Sequence, residues 1–134
     1  MMKEQEIVAA VRRTAGLEDA GHAADATRAT LTVLGQRLAG GEPGDLAGQL
    51  PAGIKEALPE TGEGASFGVE EFYRRVMDAE GHGCTQDGAR EHARAVVAAL
   101  KAGVSEGEFD DLAQQLPADY RDDLLSTAPV NEHR

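Results

Sequence analysis

The chain has 134 residues, 24 acidic against 13 basic, a formal net charge of -11 at pH 7, 41% hydrophobic residues, 4% aromatic residues and no Trp. Regularly spaced Leu and Val exclude a disordered acidic tail. No apolar run reaches the roughly 18 residues of a membrane span, and an acidic surplus is the reverse of what a nucleic-acid binder carries. The expectation is a soluble, acidic, helical domain with neither a nucleic-acid nor a membrane partner.

The first helix is predicted from about Lys3 to Ala15, because Ile7, Ala10 and Val11 share a face at helical spacing. Gly16 stops it, being tolerant of a left-handed helix end. The second runs from about Ala23 to Ala39, with Leu31, Leu34 and Leu38 as its buried stripe and Gly40-Gly41 as its end. A short third helix passes through Asp45 to Leu50. Pro51 cannot continue it and instead opens a fourth, with Ile54 and Leu58 inward. Pro59 to Phe67 reads as a linker, rich in Gly, Glu and turn residues. Val69 to Glu80 buries Phe72, Val76 and Tyr73, and Gly81 ends it. Gln86 to Ala102 buries Val96, Val97 and Leu100, with Val104 just beyond. Ser105-Glu106-Gly107-Glu108 fits a capping box, in which Ser caps and Glu reaches back. Phe109, Leu112 and Leu116 line the helix that follows. Pro117 opens the last, with Tyr120, Leu124 and Leu125 apolar, and Val130 to Arg134 reads as a frayed tail. No segment shows period-two alternation.

An internal duplication organises these elements. Asp45-Leu46-Ala47-Gly48-Gln49-Leu50-Pro51-Ala52 returns as Asp111-Leu112-Ala113-Gln114-Gln115-Leu116-Pro117-Ala118. Upstream, Arg28 corresponds to Arg94, Leu31 to Val97 and Leu34 to Leu100. Ile7, Val11 and Gly16 correspond to Phe72, Val76 and Gly81 after a one-residue shift. The expected architecture is all-α: a compact bundle of two similar four-helix repeats (about 3–58 and 69–125) with pseudo-twofold symmetry. The two repeats form one domain, since halves of about 60 residues are marginal alone.

The duplicated D-L-A-x-Q-L-P-A element, the phrase Ala89-Arg90-Glu91-His92-Ala93-Arg94-Ala95-Val96 and the helix start Phe72-Tyr73-Arg74-Arg75-Val76 together resemble a bacterial domain-of-unknown-function family, number 2267. The resemblance runs from about Ile7 to Leu125. It implies an all-helical, two-repeat domain, and it brings no activity, ligand or catalytic residue to carry over.

Cys84 is the sole cysteine, so no intramolecular disulfide forms, which suits a reducing compartment. Met1-Met2-Lys3-Glu4-Gln5-Glu6 places acids where a signal peptide is basic and then apolar. A cytoplasmic location is expected.

The candidate interaction surface is the repeated Q-L-P element, where Gln49 and Gln115 could offer paired amides to a protein partner or a second copy. The competing reading makes Leu50, Pro51, Leu116 and Pro117 helix–helix corners. Arg28 and Arg94 hold equivalent places in the long helices, suited to an ion pair between halves or to an anionic ligand. His82-Gly83-Cys84 contains metal-ligand chemistry, but a structural zinc site needs four ligands, and His22, His92 and His133 are scattered in the sequence. An ordinary loop, no metal and no cofactor are therefore expected. Glu70-Glu71, Asp110-Asp111 and Asp122-Asp123 read as solvated helix faces, because adjacent helical residues diverge. The function expected is a non-enzymatic helical protein-interaction module, with a small-molecule pocket between the repeats as the alternative.

Overall fold

The computed structural model describes residues 3–130. Helix α1 (Glu4–Ala15) buries Ile7, Ala10 and Val11, and Gly16 closes it at φ 70°. Helix α2 (Ala20–Arg37) begins earlier than its apolar stripe implied, because the Asp19 carboxylate caps it by accepting from Gly21 N at 3.0 Å. It also ends earlier. Leu38 turns extended, and Ala39–Gly40 (β1) pairs antiparallel with Gly62–Glu63 (β2).

That pairing corrects the reading of Pro59 to Phe67 as a mere linker. Gly64 N donates to Leu38 O at 3.1 Å, Ala65 N to Gln36 O at 3.1 Å, and Gly44 N to Glu60 O at 3.0 Å. The segment is a strap bonded to the end of α2. Its glycine content is a packing requirement, since a Cβ on Gly62 would stand 2.1 Å from Leu38 O.

Helices α3 (Glu42–Ala47) and α4 (Ala52–Lys55) are short, and Pro51 precedes α4 as its extended cap. Helix α5 (Val69–Glu80) has the predicted bounds, and α6 (Gln86–Gly103) starts where predicted, with the Thr85 hydroxyl accepting from Gly88 N. Helix α7 (Glu106–Gln114) is capped by Ser105. The last element is not an α-helix but a π-helical turn, Tyr120–Leu124. The second half thus departs from the expected four α-helices. Of the expected tail, Val130 donates its N–H to Ala98 O at 3.1 Å, and residues 131–134, His133 among them, lie outside the described residues.

The fold is mainly helical. Helices α1, α2, α5 and α6 pack around a core that includes Leu31, Leu34, Phe72, Val76, Val96 and Leu100, all nearly inaccessible. Ala93, Ala95, Ala98 and Ala99 bury three sides of α6, so neighbouring backbones approach closely. Tyr120 packs edge-on against Phe72, with ring centroids 5.7 Å apart, and its hydroxyl donates to Phe67 O at 2.7 Å. It thereby ties the π-helical turn to the strap. Helices α1 and α5 have 12 residues each, and α2 and α6 have 18 each. No helix among the described residues is long and apolar enough to cross a membrane.

Candidate functional site

The two Q-L-P glutamines, Gln49 half-buried and Gln115 exposed, are both bonded within the chain. Gln49 Oε1 accepts from Ser105 N at 2.7 Å, while its Nε2 donates to Ser105 Oγ at 3.1 Å. Gln115 Oε1 accepts from Ala39 N at 2.9 Å, while its Nε2 donates to Ala39 O at 3.4 Å. Each amide therefore clasps the backbone of the other half. Leu50 and Leu116 beside them are buried, and Pro51 and Pro117 form the corners that follow.

The capping box at Ser105 is correspondingly half-made. Ser105 Oγ accepts from Glu108 N at 3.2 Å, but Ser105 N is taken by Gln49, so the Glu108 carboxyl does not reach back.

The two arginines do not bridge the halves as an equivalent pair. Arg28 Nη2 contacts Glu4 Oε2 at 3.3 Å and Gly53 O at 3.4 Å, all within the first half. Arg94 is half-buried, with its Nε lacking a partner. The strong pairing on α6 is made by Arg90, which grips Asp123 from Nε at 2.9 Å and Nη2 at 2.6 Å. Asp123 also accepts from Tyr73 Oη at 2.6 Å. Arg90 first, and then Tyr73, hold the Asp123 carboxyl down at about 2 against desolvation. Asp123 is thus a tertiary anchor, which corrects its reading as a solvated face.

The densest polar cluster lies where α2, α5 and α6 meet. Glu80 ends α5, where a carboxylate opposes the negative end of the helix dipole. Its side chain is completely buried. Two histidines answer it. Glu80 Oε2 lies 2.6 Å from His22 Nε2, near the start of α2, and 2.7 Å from His92 Nδ1, inside α6. With Glu80 ionised, both imidazoles donate to it. Burial pushes the Glu80 pKa up, but the hydrogen bonds from His92 and His22 outweigh it and hold the carboxyl below its ordinary range.

Two residues of the α5–α6 loop complete the cluster. His82 stacks on His22, with ring centroids 4.1 Å apart and planes 12° from parallel, and its Nε2 lies 2.8 Å from Asp25 Oδ2. To do so it adopts φ 57° between Gly81 and Gly83, both also at positive φ. A non-glycine residue there carries roughly 1 kcal/mol or more of strain, held by surrounding contacts. The Cys84 thiol lies beside Glu80, and burial first, then the Glu80 charge, raises its pKa.

Ligand atoms of His22, Glu80 and His92 all lie within 4.8 Å of one another. This overturns the expectation that the histidines are scattered and His82-Gly83-Cys84 is an ordinary loop. Two imidazoles and a buried carboxylate converge, with the His82 ring stacked on His22 and the sole thiol beside Glu80. The sequence held one usable signal. His92 shares its helical stripe with Ala89, Ala93 and Val96, and a polar ring on a buried apolar face requires a partner.

A family model described as "Uncharacterized conserved protein (DUF2267)" matches residues 4–122. No curated protein matches the chain. The chain belongs to the DUF2267 family.

Proposed function

We propose that this DUF2267 member is a non-enzymatic helical binding module, and that its ligand is a transition-metal ion of the zinc class. The carrying observation is the convergence of His22 Nε2, His92 Nδ1 and Glu80 Oε2 about one buried point, with a thiol alongside. Imidazole, carboxylate and thiolate are the zinc donor types. In the metal-free arrangement the hydrogen-bond protons occupy the space of the ion. Bonds of about 2.0–2.1 Å in tetrahedral geometry set ligand atoms about 3.3 Å apart. The present spacings must therefore open by roughly 0.6 Å on metal entry. His22 is the residue free to give, being 20% exposed at its side chain against 9% for His92 and 0% for Glu80. Cys84 lies beside Glu80 but outside that set, so it closes the site as a fourth donor only by swinging its thiol toward the ion on metal entry. A closed site holds structure, whereas a catalytic one keeps an open position.

A protein-interaction surface at Gln49, Pro51, Gln115 and Pro117 has weaker support, because both amides are already bonded within the chain. A small-molecule site has one feature in its favour: an open groove beside the strap, lined by Thr32, Gln36, Pro59, Gly62 and Arg75. It lacks the enclosure typical of ligand pockets.

Zinc titration of chelator-treated protein, followed by calorimetry and native mass spectrometry, tests the metal reading. One bound ion is expected, with affinity reduced at least tenfold in His92→Ala and in His22→Ala. Absence of saturable binding, or binding in both variants as tight as in the unaltered chain, overturns it.

A further inference from the structure

Glu42 and Glu108 occupy equivalent positions, 66 residues apart (108 − 42), and their carboxyls meet between α3 and α7. The Gln49 clasp puts Glu108 there. Ser105 N, the donor a capping box would offer to Glu108, is held by Gln49. Ala39 N, three residues before Glu42, is held by Gln115. Deprived of that capping-box partner, Glu108 turns its carboxyl inward to meet Glu42, the first residue of α3.

Glu42 is only 7% exposed, and its Oε2 is buried without a hydrogen-bond partner, as is Glu108 Oε2. A carboxylate oxygen of Asp45 completes a set lying within 4.8 Å. The charges acting most on Glu42 are all negative: Glu108, Asp45 and Asp111. Burial first, and then Glu108, pushes the Glu42 carboxyl up to about 8.

We propose that Glu42, Glu108 and Asp45 form a site for one hard divalent cation, of the calcium, magnesium or manganese class, which occupies the space between the carboxyls and clamps α3 to α7. All donors are oxygens, the preference of such ions. A calcium ion bonded at about 2.3–2.6 Å spans oxygens up to about 5 Å apart, which suits the observed set. Asp45 is solvent-exposed and marks the side of entry. The site shares no residue with the histidine cluster.

Isothermal titration of chelator-treated protein with calcium chloride, and separately with magnesium chloride, decides it at pH 7. Expected are one saturable event with Kd on the order of 10⁻⁴–10⁻³ M and a higher Tm. Glu42→Gln removes a carboxyl donor at nearly constant shape and is expected to fold, with affinity at least tenfold weaker. Glu108→Gln provides the same reading should Glu42→Gln prove unstable, and His92→Ala is expected to bind calcium as the unaltered chain does. No saturable binding of either ion tenfold above that range, or unchanged binding in the glutamine variants, overturns the proposal.

Discussion

The Gln49 amide lies across the backbone of Ser105, with Oε1 2.7 Å from its N and Nε2 3.1 Å from its Oγ. Gln115 makes the matching clasp at Ala39, and both separations equal 66 residues (115 − 49 and 105 − 39). We read this reciprocity as support for a duplicated, pseudo-twofold architecture. The clasps account for three observations at once: the half-made capping box, the inward turn of Glu108 and its meeting with Glu42.

Replacing either glutamine by Leu removes two hydrogen bonds between the halves. Each single variant is expected to lose about 1 kcal/mol in urea denaturation. Gln49→Leu should be the costlier, because it holds Ser105, whose Oγ caps a nine-residue helix. Zinc affinity should be unchanged in both.

Gly62→Ala places a methyl against Leu38 O, where neither backbone can yield without breaking the β1–β2 pairing. The expected loss is about 1–3 kcal/mol. Faster hydrogen exchange at Gly64 and Ala65 should accompany it, since their amides bond the strap to α2. Normal protection of those amides in the variant would contradict the assignment of the strap.

Asp123 contributes a pH dependence of definite sign. Its carboxyl is held at about 2, below the ordinary 3.8, by Arg90 and Tyr73. A depressed acid stabilises the fold above its unfolded pKa, and that contribution disappears as the pH falls through about 2. The contribution is about 1–2 kcal/mol, allowing for partial exposure. Asp123→Asn is expected to lower stability at pH 7 and to flatten the acid limb of a Tm–pH curve. Tyr73→Phe should cost about 1.5–2 kcal/mol through the lost bond to a charged acceptor.

Cobalt(II) reports on the fourth metal donor. The unaltered protein is expected to show a thiolate-to-cobalt charge-transfer band. Cys84→Ser should lose that band yet retain visible absorption from cobalt bound to His22, His92 and Glu80. A spectrum identical in the two proteins would exclude Cys84 from the ligand set.

The sequence by itself determined the features with local causes. Gly81 ends α5 and Thr85 caps α6 through groups a few residues away, so those boundaries were readable from residue type and helical period. Membership of the family was readable in the same way, from the duplicated D-L-A-x-Q-L-P-A element. The earlier start of α2 was also within reach, since Asp19 is a strong cap, but the apolar stripe alone obscured it. Tertiary structure decided the rest. Glu80 and His22 are 58 residues apart and on different helices, and no periodicity relates them. They meet because α2 and α5 pack side by side, and because Glu80, buried at a helix end of the wrong polarity, requires donors from outside its own helix. The inward turn of Glu108 has the same kind of cause. A capping box is the local optimum for that residue, and it gave way because Gln49 arrives from the other half with a hydrogen bond to the same amide.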